Sequence, residues 1–286
     1  MSIEQSRQEI QRQKELPTLS PDVSRILTSC ESSDISAKEL ADILGESPTI
    51  AARLLGLANS SFFGQQGKVH SLSHAISVLG MVTVKSVAIG LALSGMFKTD
   101  RCAHFDVQRY WASTVMTALM SNALHAHIQQ DLRPPSDSVY MTGLLHNLGL
   151  LALVHLYPDK MDAALIAYGE APTRKLGDHI RDHLELDHCE AGVWLGSKWH
   201  LPEDILLVMK YHYGRNYRGE HWPLVLLEAI CASWANQILD GHTEIDPETE
   251  ALSVLGVPPD KAEKVREEIG DKLEAIREMA SLFSKD

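Results

Sequence analysis

The 286 residues carry 26 lysines and arginines against 38 aspartates and glutamates, a formal net charge of −12, and 44% of them are apolar. That apolar share suffices to build cores and excludes disorder as the default, while the negative balance repels a phosphate backbone and makes nucleic acid an unexpected partner. Cys30, Cys102, Cys189 and Cys231 form no close pair, so they read as buried thiols of a reducing compartment, the cytoplasm, rather than a disulfide framework.

The opening MSIEQSRQEIQRQKE has no apolar core, so residues 1–15 read as a polar extension and not a signal peptide. Apolar residues then recur at spacings of three and four with little alternation, which predicts an all-α chain. Ser36 and Glu39 form a capping box that starts a helix running to about Gly45. Ser47-Pro48 starts a second helix, with Ile50, Leu54, Leu57 and Ala58 on one face. The run SLSHAISVLGMVTVKSVAIGLALSGMF predicts two buried helices broken near Gly80. No continuous apolar run reaches the eighteen or so residues of a membrane span, so no membrane is expected.

A polar stretch, KTDRCAHFDVQ, sets a boundary near residue 102 between an N-terminal helical lobe, 16–102, and a second helical region, 103–241, which starts near Arg109. In the second region YMTGLLHNLGLLALVHLYP reads as one helical run ending at Pro158, and further helices are expected over Lys175–Leu184, His188–Trp199, Pro202–Tyr211 and Pro223–Leu239. Residues 242–286 form a linker and a C-terminal helix with Val265, Ile269, Leu273, Ile276 and Ala280 in register and Glu268 paired with Lys272. Its stripe can dock on the chain itself or on a second copy, which leaves a homodimer open.

Several chemical readings are weak. Lys38–Ser60 has a helix-turn-helix outline, yet its second helix offers chiefly Arg53 and Asn59 to a groove. No GxSxG elbow, Walker loop or HExxH is present. His179 and His183 share the i,i+4 spacing that lets two imidazoles reach one metal, but Asp178, Asp182 and Asp187 around them look like a solvated face. His125 and His127 point to different sides of a helix.

GLLHNLGLLALVHLYP at Gly143–Pro158 is similar to the GLLHDIGxL segment of HD-superfamily proteins. LPTLSPDVSRIL at Leu16–Leu27, ADILGESPTIAARLLGLANSSFFG at Ala41–Gly64, Trp111, LDHCEAGVWLGSKWHLPEDI at Leu186–Ile205 and YHYG at Tyr211–Gly214 follow in the order of the HDOD family, the HD-related output domain. The resemblance covers about Leu16 to Gly241. It implies an all-α fold, a helical N-terminal subdomain packed on a degenerate HD-type core, and a role as a bacterial signalling output module.

In competent HD enzymes a histidine, a tandem His-Asp and a later aspartate hold a divalent metal that activates water. The resemblance carries these four positions onto Ser113, His146, Asn147 and Asn236, with Ser233 the alternative for the last. One imidazole survives and both carboxylates are replaced, so neither a catalytic residue nor a metal or other cofactor is expected. His146 then reads as a buried, satisfied histidine or as part of a vestigial pocket with Asn147, His188 and His212. The expected function is a non-catalytic module working through a signalling protein partner. The alternatives are an HD-type metal-dependent phosphohydrolase using His146 with His188 or His212 and a divalent metal, and a nucleotide-binding sensor without hydrolysis.

Overall fold

The computed structural model describes residues 19–31, 34–65 and 67–284, without the side chains of 22, 30 and 31. The polar extension, the first residues of the Leu16–Leu27 segment and the Cys30 thiol lie outside the described residues. The protein is all-α, with 71% of it helical and no strand among the described residues.

Among the described residues five α-helices come first: α1 (Pro21–Glu31), α2 (Ala37–Gly45), α3 (Pro48–Ala58), α4 (Leu72–Leu79) and α5 (Met81–Ser94). The Ser36 hydroxyl accepts from the Glu39 amide and the Glu39 carboxylate accepts from the Ser36 amide, so the start of α2 is closed reciprocally. Ser47 caps α3, with Pro48 in its first turn. Gly80, at φ 83°, turns the chain by 115° between α4 and α5, a conformation in which a Cβ would be strained. In the helix-turn-helix outline of α2 and α3, Asn59 clamps its own loop. Its amide donates to the Leu55 and Val69 carbonyls and its oxygen accepts from the Val69 amide, so it is not presented to a groove.

The second lobe is organised around α6 (Val107–His125), which starts two residues before Arg109 with Asp106 as its cap. Thirteen of its residues, from Tyr110 to Leu124, are buried on all sides, because α7 (Ser136–Leu145), α13 (Trp222–Leu239), α15 (Pro259–Gly270) and α16 (Leu273–Ser284) surround it. The segment expected as one helix to Pro158 is two, α7 and α8 (Leu148–Leu156), broken at His146-Asn147, and Pro158 begins α9 (Pro158–Glu170) instead. The remaining helices are α10 (Leu176–Leu184), α11 (His188–Lys198), α12 (Glu203–Tyr211) and the short α14 (Thr249–Val254).

The single C-terminal helix expected from periodicity is likewise two. Glu268 meets Lys264 at 3.6 Å, whereas Lys272, in the break, lies with its ammonium 4.7 Å over the Phe62 ring. Ile276, Met279, Ala280 and Phe283 are buried, and α16 packs on α6 as well as α3 and α5 of the first lobe. Phe283 stacks on Trp111 with centroids 4.7 Å apart. The apolar stripe is therefore covered by the chain's own helices. Residues 136–156 and Trp222–Leu239 pass the length and composition of a membrane span, contrary to the expectation, but 78% and 61% of their apolar windows are buried in the protein. They are apolar all round because they are surrounded by helices.

Candidate functional site

His146 and Asn147 occupy the break between α7 and α8, and two glycines explain why that break sits against other helices. A Cβ at Gly143 would come within 2.7 Å of the Ala118 Cα on α6, and one at Gly149 within 1.9 Å of the His188 carbonyl oxygen and 2.4 Å of the Gly192 nitrogen on α11. Only bare backbone permits both approaches. They carry Ser113 to one side of the pair and His188 to the other. The start of α11 is pinned in turn by a second capping box, absent from the sequence reading, in which Asp187 and Glu190 exchange backbone-to-carboxylate bonds of 2.9 and 3.0 Å.

Ser113, His146, Asn147, His212, Ser233 and Asn236 all face a cleft of ≈550 Å³. Across it the Ser113 hydroxyl donates to the Asn236 amide oxygen at 3.1 Å, and the Asn236 amide nitrogen donates to the Ala232 carbonyl at 2.9 Å. Ser233 accepts from Gln237 at 3.1 Å. His146 donates from Nδ1 to the Gly143 carbonyl at 2.7 Å, which leaves Nε2 as its lone-pair nitrogen. The Asn147 amide oxygen is buried and has no hydrogen-bond partner among the described residues. Around the mouth stand Arg109, Arg174, Lys175 and Arg215; Arg109 meets Asp240 at 2.5 Å, and Arg215 grips Glu248 through two nitrogens.

Behind His212 the structure brings together three imidazoles. The His146 and His212 centroids are 4.8 Å apart and those of His212 and His188 are 6.2 Å apart. His188 does not line the cleft as expected from the sequence. It is turned inward, with the Tyr213 ring packed edge-on at 5.1 Å. All three rings are only 2–3% exposed. Burial pushes His146 and His188 down to about 4 and holds His212 well below its ordinary value, so the cluster is neutral at physiological pH. His179 and His183 do not form a metal pair: His179 is buried with Nε2 3.2 Å from the Ala171 carbonyl, His183 is exposed, and Asp182 and Asp187 bind Arg174 and Arg181.

At Ser113, His146, Asn147 and Asn236, the positions carried over by the resemblance, the donor set is one hydroxyl already given to a neighbour, one imidazole and two carboxamides. It carries no negative charge, and the structure offers no carboxylate among these four to offset that of a divalent ion. These residues do not fit the hydrolytic metal of HD enzymes. Sequence reasoning missed Cys189, whose sulfur converges with His188 and His212, and the basic rim, whose members are scattered from 109 to 215 and meet only in the fold.

Comparison with known proteins accords with the helical fold. The HDOD domain family matches residues 16–214, ending short of the Gly241 read from the motifs. An uncharacterised protein of Treponema pallidum (strain Nichols) is 23% identical over 231 residues, 80% of this chain and 44% of that protein, so the chain spans less than half the length of this curated relative. Among solved structures, a protein of Marinobacter aquaeolei VT8 provisionally assigned to signal transduction superposes with a TM-score of 0.80 at 24% identity, over 95% of this chain and 60% of that one. An HDOD domain protein of unknown function from Geobacter sulfurreducens gives 0.76 at 20% identity, over 96% of both chains. A protein of Shewanella amazonensis SB2B provisionally named a phosphohydrolase gives 0.75 at 21%, over 96% of this chain and 97% of that one. With a family match over most of its length and the same helical fold in these structures, the chain belongs to the HDOD family.

Proposed function

We propose that the chain is a non-catalytic signalling or regulatory output module that acts through contacts with other proteins in the bacterial cytoplasm. The observation that carries this reading is the Ser113–Asn236 hydrogen bond: the residues that the resemblance assigns to the first and, with Ser233 the alternative, the last HD position are neutral, and Ser113 and Asn236 are bonded to each other. A hydrolytic ion there would have to break that bond and accept one imidazole and neutral amides in place of two carboxylates. The Marinobacter relative's assignment to signal transduction is consistent with the role, and the Shewanella relative's name keeps the hydrolase alternative in view. The free thiols at Cys102, Cys189 and Cys231 support a reducing setting.

A second reading, a nucleotide-binding sensor without hydrolysis, is favoured by one specific observation. The ≈550 Å³ cleft is lined by Asn147 and carries Arg109, Arg174, Lys175 and Arg215 at its mouth, three of them paired with Asp240, Asp182 and Glu248. Cations at the mouth suit a phosphate that displaces their carboxylate partners.

The deciding experiment is hydrolysis of nucleotides and phosphodiesters by purified protein supplied with manganese, iron or magnesium, beside a His146→Ala variant. No metal-dependent turnover is expected. Turnover that the variant abolishes would overturn the non-catalytic reading, whereas saturable nucleotide binding without turnover would favour the sensor.

A further inference from the structure

His188 and Cys189, at the first turn of α11, meet His212, just past the end of α12, and their donor atoms lie within 4.8 Å of one another. None of the three occupies the four HD positions. Both ring nitrogens of His188 and Nε2 of His212 are buried without a hydrogen-bond partner among the described residues. Buried polar atoms are almost always satisfied, because an orphan has given up its water without a replacement. Two of the three are lone pairs, Nε2 of His212 and one nitrogen of neutral His188, whose other nitrogen carries the proton, and two lone pairs on adjoining rings call for something that takes them.

His212 is already oriented for that. Its Nδ1 donates to the Val208 and Met209 carbonyls, both at 3.1 Å, which leaves Nε2 as a lone pair aimed away from its own helix. This is the outer hydrogen bond that fixes the tautomer of a metal-bound histidine. His188 is held from behind by the Asp187–Glu190 capping box, which sets the first turn of α11. Two imidazoles and a sulfur are a borderline-to-soft donor set, suited to zinc(II) and poorly matched to magnesium, manganese or calcium. Zinc bonds of about 2.0–2.3 Å in a tetrahedron place donors roughly 3.5 Å apart, so small side-chain rotations must draw these atoms closer.

We propose that His188, Cys189 and His212 bind a single zinc(II) ion that ties the start of α11 to the end of α12 without hydrolytic chemistry. On binding, one Zn–S bond forms and the Cys189 S–H proton leaves to solvent, while both imidazoles enter neutral. The inference departs from the sequence expectation that the chain binds no metal. Because His212 also faces the cleft, the ion would stiffen the cleft wall that a ligand or a partner reads.

The test uses the full chain, stripped of metal and titrated with cobalt(II) and then zinc(II). One equivalent of cobalt is expected to give a thiolate-to-cobalt charge-transfer band that zinc bleaches. Cys189→Ser should abolish the band and Cys231→Ser should keep it. His188→Gln and His212→Gln should weaken zinc binding by more than the ~10–100-fold that loss of an outer hydrogen-bond partner costs. Circular dichroism of each metal-free variant establishes that it is folded. Absence of the band in the wild type, or its survival in folded Cys189→Ser, overturns the site. Turnover by the zinc-loaded protein would overturn its non-hydrolytic character, and the reading under Proposed function with it, while leaving the site standing.

Discussion

Two buried polar clusters lie in the second lobe, and they are finished in different ways. Glu228 on α13 is fully buried, with its carboxyl oxygens 2.7 Å from the Ser121 hydroxyl of α6 and 2.9 Å from that of Thr142 on α7. Each hydroxyl also lies within 3.0 Å of a backbone carbonyl of its own helix. A hydroxyl has one proton to give, so the cluster closes when Glu228 is a neutral acid, donating to one neighbour and accepting from another. Burial pushes its pKa up to about 8, which agrees. The His188–His212 cluster, in the same lobe, leaves lone pairs unanswered. A closed polar cluster is explained by the protein alone; an open one points to a component outside the chain.

The comparison can be broken most forcefully at Gly149. Gly149→Ala drives a methyl into the α11 backbone and should cost about 3 kcal/mol or more in urea unfolding, displacing His188 from His212. A tolerated substitution would refute the close approach of α8 and α11 that builds the open cluster.

The closed cluster has a pH signature. In the folded chain Glu228 keeps its proton up to about pH 8, but its ordinary value is 4.5, so unfolding releases a proton between these limits. Stability therefore falls as pH rises through that window, by about 1.4 kcal/mol per unit. Glu228→Gln should remove this fall, a relative gain of about 2 kcal/mol between pH 6.5 and 8 by denaturant titration. An unchanged slope would mean that the carboxyl is ionised in the fold.

The open cluster predicts the opposite limb in metal-free protein. His188 stays neutral in the fold to about pH 4 but has an ordinary value of 6.5, so unfolding takes up a proton below 6.5 and stability falls with acid. His188→Gln should make that limb shallower by about 2 kcal/mol in all between pH 6.5 and 4.5. Equal slopes in variant and wild type would show that the ring is solvated. The smallest effect belongs to the cleft: Ser113→Ala removes one hydrogen bond and should cost about 1 kcal/mol, and a neutral result would weaken the claim that Ser113 and Asn236 are committed to each other.

Local signals carried much of the fold. The caps at Ser36 and Ser47 and the break at Gly80 depend on residues within a few positions of one another, and they were legible as such. Where one apolar rhythm ran on, the reading joined helices that are separate, at His146-Asn147 and around Gly270–Lys272, because periodicity does not register a change in axis direction. The order of motifs supplied Ser113, His146, Asn147 and Asn236 as candidates, but it held no sign that Ser113 and Asn236 would bond to each other across 123 residues.

By itself the sequence determined an all-α chain and its HDOD membership, since these follow from residue types and their local order. Only the tertiary structure decided that His188 turns inward from the cleft, that Cys189 joins it and His212, and that Glu228 is sealed between Ser121 and Thr142. Those outcomes depend on the close approach of α8 to α11 and of α7 to α6 at Gly149 and Gly143. Distance between helices is a property of the packed chain, and burial, which sets the charge of every one of these groups, exists only once that packing has formed.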